Sequence, residues 1–207
     1  MLSVILTLTT RGFDVSYYQG AVSQDTFNCL YNNGYRFAII QAQIGSTFNN
    51  NAISDYWRAK QAGIEYVDFY IFPTTAKDAR GQVRDTINRL ISEGVMAGMV
   101  WLDVESIELF FDDWSTNQWY ISTMLDEMSN ILGANRVGVY SNWNQWQSIV
   151  GWNWTGASGH QLWYPHYDNW QSFDDFQNLV AGTLHPSSNT KVTKTSAGPP
   201  STETFTE

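Results

Sequence analysis

An α/β architecture of parallel strands alternating with helices is what this sequence predicts, and two observations carry it. From Gly12 to Phe176, short apolar runs alternate with longer segments of helical period. Gly34, Gly63, Gly94 and Gly133 stand where those helical segments should stop, because a helix end often needs a residue that tolerates positive φ. Strands separated by single helices form βα units, whose right-handed crossovers make the strands parallel.

Taken in order, the first strand is Gly12–Val15, followed by a helix over Gln24–Asn32 that Ser23 can cap. Strand Phe37–Gln41 leads to helix Ile53–Ala62, and strand Val67–Phe72 to helix Asp78–Ser92. Strand Gly98–Asp103 leads to helix Gln118–Leu132, and strand Val137–Tyr140 to a short helix near Trp143–Val150. Gln161–Tyr164 is the sixth strand. In a parallel barrel, chemistry gathers at the carboxyl ends of the strands. Asp14 falls at one such end and the pair Asp103 and Glu105 at another.

The pair closes the apolar run Val100-Trp101-Leu102-Asp103-Val104-Glu105. In a strand, side chains alternate between faces, so Asp103 and Glu105 point the same way with Trp101, and Leu102 and Val104 the other. At about 3.3 Å per residue their Cα atoms stand roughly 6.6 Å apart. Carboxylates that close titrate together, and one is held toward its protonated form. A proton donor beside an anion is what cleavage of a glycosidic bond needs. An acidic strand end also arises where a strand merely reaches water, so the pair alone does not decide the matter.

Composition sets the bounds. A chain of 207 residues fits one domain with a sizeable core. Ten Trp, eleven Tyr and eleven Phe furnish that core and leave rings for a groove that stacks on sugars. A formal charge of −9 and the lack of any basic stripe argue against a nucleic-acid partner. No apolar run reaches the length of a membrane span. Cys29 is the single cysteine, so neither an internal disulfide nor a cysteine-based metal site is expected. The histidines His160, His166 and His185 lack ligand spacing, and no metal is predicted.

Residues 1–10, with the apolar stretch Leu2 to Leu8, suggest a clipped or mis-started secretory signal without a basic start or a small-residue cleavage site. Asn153-Trp154-Thr155 is an N-glycosylation acceptor by sequence and agrees with secretion. Residues 11–177 form the expected domain, and residues 178–207, rich in Ser and Thr with Pro199-Pro200, read as a disordered tail.

Several segments together resemble the Chalaropsis-type lysozymes, glycoside hydrolase family 25, in the branch found in amoebae and nematodes. They are Gly12-Phe13-Asp14-Val15-Ser16-Tyr17-Tyr18-Gln19-Gly20, Phe27 to Leu30 with Asn33 to Ile40, and Tyr70-Ile71-Phe72-Pro73. Met99 to Glu105, Val137 to Ser141 and Leu162 to Asp168 complete the set, in order and over residues 12–177. The resemblance implies a flattened (β/α) TIM-like barrel that cleaves the β-1,4 bond between N-acetylmuramic acid and N-acetylglucosamine in bacterial peptidoglycan. By resemblance, Glu105 is the general acid. Asp103 orients the substrate's own acetamido group or else stabilises the oxocarbenium-like transition state, and Asp14 completes the acidic cluster. Tyr70, Trp101, Tyr140, Trp163 and Tyr164 are expected to line the substrate groove. The implied protein needs no cofactor, acts as a monomer, and is secreted or delivered to lysosomes and phagosomes. A chitinase is disfavoured, because its longer signature, Asp-x-x-Asp-x-Asp-x-Glu ending at Glu105, would put aspartates where this chain has Gly98 and Trp101.

The family's last two strands, one with Gly-Gly-Trp and Ile-Lys-Gln-Tyr and one with Val-Asp-x-Asn, have no counterpart in residues 178–207. With synonymous codons chosen freely from Leu179 onward, a one-base shift can spell both, together with a cysteine that would partner Cys29. A lost nucleotide near the codons of Asn178 and Leu179 is therefore expected. A barrel lacking those two strands and a catalytically impaired, glycan-binding product are expected if the printed frame stands.

Overall fold

The computed structural model describes residues 11–165 and Phe176. The suspected signal segment, His166, Asp168 and the tail from 178 lie outside the described residues. Seven strands and five helices alternate: β1 (Arg11–Val15), α1 (Gln24–Asn32), β2 (Tyr35–Ile44), β3 (Thr47–Phe48), α2 (Asn51–Ala62), β4 (Tyr66–Phe72), α3 (Ala79–Ser92), β5 (Val100–Asp103), α4 (Trp114–Leu132), β6 (Val137–Tyr140), α5 (Trp143–Val150) and β7 (Gln161–Trp163). The strands form one sheet in the order β1-β2-β4-β5-β6-β7, parallel throughout that path. Only β3 departs, pairing antiparallel with β2 as a short hairpin across Gly45, whose φ of 53° is the left-handed turn a glycine permits.

The sheet is curled but open, a barrel left incomplete. Among the described residues β1 pairs only with β2 and β7 only with β6, so both stand as edges. Each strand divides its side chains between two layers, as a period of two requires. Phe69 and Ile71 of β4, Leu102 of β5 and Val139 of β6 enter the large core beneath the helices. Phe37, Ile39, Tyr70, Trp101, Tyr140 and Trp163 form a second, separate cluster on the opposite face. The helices bury only the first face, which leaves the second for a site.

Local signals place the helices. Ser23 Oγ accepts from Thr26 N at 3.1 Å and starts α1 where the sequence puts it. Helix α4 begins four residues ahead of its predicted Gln118, because Asp113 Oδ2 accepts from Thr116 N at 2.7 Å. Helical period did not reveal that turn, since its Trp, Ser, Thr and Asn are poor helix formers and the cap alone fixes it. Asn117 in the same turn is buried and donates to the carbonyls of Phe111 and Ile149 at 2.9 and 2.8 Å, which ties α4 to the end of α5.

One buried carboxyl makes stability depend on pH. Asp55 of α2 has no exposed side-chain surface and accepts from Val22 N at 3.0 Å and Arg58 Nη1 at 3.3 Å. Burial outweighs those partners and pushes its pKa up from 3.8 to about 6. An acid with a raised folded pKa binds its proton more tightly when folded, so its contribution falls as pH climbs from 3.8 to about 6 and is constant above. Asp55→Asn should remove that slope, so that the difference in unfolding free energy between variant and wild type grows in the variant's favour across this window. Urea melts at several pH values measure it, and an unchanged difference refutes the assignment.

Candidate active site

The site is assembled at the carboxyl ends of β1, β4, β5, β6 and β7, on the face opposite the helices. Phe13 and Val15 point into the helix-side core, so Asp14 between them faces the second layer. Leu102 and Val104 likewise turn toward the helices, which puts Asp103 with Trp101 on the site side. Asp14 and Asp103 are buried at 7% and 5% exposure, and Glu105, just past the end of β5, is half-buried. The Tyr70 phenol reports on all three. Its pKa is driven far above the ordinary value by burial, and then by the negative charges of Asp103, Asp14 and Glu105. Three carboxylates from two segments, the end of β1 and the end of β5, thus converge on one ring. Asp14 shares a site with Asp103 and Glu105 only because β1 and β5 lie in the same sheet.

Beneath the carboxylates lies an aromatic floor. Trp163 is its centre, with ring centroids 4.6 Å from Tyr140, 6.0 Å from Trp101 and 6.2 Å from Tyr70, all in edge-on geometry. Each of these four rings is no more than 8% exposed, so they hold one another in place. Tyr164 is the one predicted groove residue that the fold separates from this set. The next residue along from Trp163, it packs against Phe176 at 5.2 Å on the helix-side core.

Several positioning residues escaped sequence reasoning. Asp68 of β4 accepts from Trp101 Nε1 at 3.0 Å and from Met99 N at 2.8 Å, and burial raises its pKa. Gln41 Oε1 accepts from Tyr17 N at 2.7 Å and pins the turn that follows Asp14. Ser106, directly after Glu105, has a φ of 67°, the one described non-glycine residue at positive φ, and donates its N–H to Gln145 Oε1 at 2.9 Å. Strain of this kind persists where the surroundings over-determine the backbone. Here it turns the chain sharply behind Glu105. The spacing of Asp103 and Glu105 is a sequence signal, whereas Asp68, Gln41 and Gln145 have none.

Two glycines make room for the floor. A Cβ on Gly12 would lie 2.1 Å from the Phe37 ring, and one on Gly138 would lie 2.4 Å from the Trp101 indole. Gly138 stands beside Trp101 in the β5–β6 register. Gly138→Ala must therefore displace the indole from Asp68. We expect a loss of about 1–3 kcal/mol, typical of overpacking, and an altered near-ultraviolet circular dichroism band. An unchanged melt and spectrum would show that the indole has slack.

Among the described residues, no group of three or more His, Cys, Asp or Glu side chains is arranged to hold a metal ion. No described helix is long and apolar enough to cross a membrane.

Comparison with known proteins agrees with this geometry. The sequence model of the family described as "Lysozyme-like protein 1" matches residues 9–181. The chain belongs to the GH25 lysozyme-like family. It is 38% identical to a probable GH family 25 lysozyme 2 of Dictyostelium discoideum, over 85% of this chain and 80% of that protein. It is 30% identical to lysozyme-like protein 5 of Caenorhabditis elegans, over 83% of this chain and 79% of that one. Among solved structures, a muramidase from Acremonium alcalophilum superimposes with a TM-score of 0.60 at 22% identity, covering 76% of this chain and 77% of that one. At this identity the superposition supports the fold of this GH25 lysozyme-like chain and nothing finer. None of the matches lends support to a lost frame near residue 178, which the family match spans.

Proposed function

We propose that this GH25-like chain is a peptidoglycan N-acetylmuramoylhydrolase, cleaving the β-1,4 bond between N-acetylmuramic acid and N-acetylglucosamine. The observation that supports this most is the convergence of Asp14, Asp103 and Glu105 on Tyr70 at the carboxyl end of the sheet. Glu105, the most solvent-accessible of the three carboxyls, protonates the leaving glycosidic oxygen as the C–O bond breaks. Asp103 orients the substrate acetamido group, whose oxygen attacks the anomeric carbon, or stabilises positive charge developing there. Water then completes hydrolysis and returns a proton to Glu105. Asp14 adds negative charge at the floor, and the rings of Tyr70, Trp101, Tyr140 and Trp163 hold these groups in register. The proton donor and the substrate amide suffice for this scheme, and action outside the cell or in a phagosome goes with it.

The test is release of new reducing ends from purified peptidoglycan by the full chain. Activity on chitin but not on peptidoglycan would overturn the substrate. A second reading, glycan binding without turnover, draws on the 33% identity to counting factor 50 of Dictyostelium discoideum, a relative not named for hydrolysis. Sedimentation with cell wall but no release of reducing ends would favour it. Resequencing the transcript from the codon of Phe176 decides whether a lost base separates this chain from a full set of strands.

A further inference from the structure

A second cavity lies on the helix side of the sheet, away from the aromatic floor. It is a half-open cleft of about 250 Å³ between the β2–β3 hairpin, the loop after β4, and α3. That is room for about eight waters at ~30 Å³ each, enough for one amino-acid end. The loop from Pro73 to Asp78 and the hairpin both leave the carboxyl ends of their strands, so the cavity opens at the same rim as the carboxylates.

Its floor is preorganised. The buried Gln43 donates to Gly45 O at 2.7 Å and to Gln82 Oε1 at 2.9 Å, and accepts from Thr86 Oγ1. Gln82 in turn binds the Thr74 carbonyl at 3.2 Å and the Tyr120 hydroxyl, fixing the loop that carries Lys77. Arg89 on the wall is already engaged, 3.1 Å from Glu93 and 5.7 Å over the Phe48 ring. Lys77 and Asp85 also line the cavity. Among the described residues neither has a salt-bridge partner, and they do not bridge each other. Opposite charges on two elements that line one cavity, Lys77 on the loop after β4 and the exposed Asp85 on α3, complement a group that carries both signs at once.

We propose that this cavity binds the zwitterionic end of an amino acid, its carboxylate on Lys77 and its ammonium on Asp85. Resting on the lysozyme reading, the source is a peptide attached to the glycan that carries a diamino-dicarboxylic residue, whose free end presents both charges. A peptide held at the rim would align its glycan with Glu105.

The experiment is a calorimetric titration of the full chain with free meso-diaminopimelate. Saturable binding to the wild type is expected, weakened at least tenfold by Lys77→Met and by Asp85→Asn, with thermal melts unchanged. No binding to the wild type, or equal binding to both variants, overturns the proposal. Hydrolysis of glycan with and without attached peptides separates the sources. A KM raised by Lys77→Met only on the peptide-bearing glycan identifies the attached peptide as the ligand. Diaminopimelate binding with unchanged KM on both glycans overturns that source and leaves a free amino acid. If no glycan is cleaved by any form while the titration still depends on both residues, the lysozyme reading fails and the cavity assignment stands.

Discussion

Glu105→Gln should reduce release of reducing ends from peptidoglycan by about 10²–10⁴-fold, the usual contribution of a positioned general acid. The amide keeps the volume and most hydrogen-bonding capacity of the carboxyl but has no proton to give to the leaving oxygen. Glu105 lies half-exposed beyond β5, so the substitution should leave stability within about 0.5 kcal/mol, as is usual for such positions. Loss of activity with an unchanged melt assigns the acid. Activity that survives the substitution moves that role to another group, and Asp103 would be next to replace. Loss of both activity and stability would mean instead that Glu105 holds the turn at Ser106.

The largest structural effect is expected from Trp163→Ala. Trp163 touches Tyr140, Trp101 and Tyr70, while its strand β7 is an edge held by β6 alone among the described residues. Removing a buried indole of this kind costs about 3–5 kcal/mol. In a domain of this size each kcal/mol lowers the melting midpoint by about 2–4 °C, so a fall of roughly 6–20 °C is expected. Trp163→Phe keeps a ring in the floor and should recover much of that loss. A midpoint lowered by less than about 2 °C in the alanine variant would mean that the site-side cluster is not a cooperative part of the fold.

How far the sequence reached can be judged from particular elements. Five helices and six parallel strands were legible because burial on one face writes a period of 3.6 or 2 into the residues. The boundaries of α1 and α5 coincide with those expected, and Ser23 caps as its position implied. The two-residue strand β3 and the first turn of α4 were not legible, for they rest on a short pairing and on a cap rather than on periodicity. Alternation placed Trp101 and Asp103 on one face. The same alternation separates Tyr164 from Trp163, although both lie at the end of one strand.

The sequence by itself determined the alternation of strands and helices, the acidic endings of two strands, and the net negative charge. These are properties of single segments, and each segment carries them whatever surrounds it. Only the tertiary structure decided that Asp14 joins Asp103 and Glu105 around Tyr70, that Asp68 holds the Trp101 indole, that Gln41 pins the turn after Asp14, and that Lys77 and Asp85 face one cavity. Each of these depends on which strands become neighbours and in what register. That choice follows from the packing of the whole sheet against its helices, where no local pattern can reach.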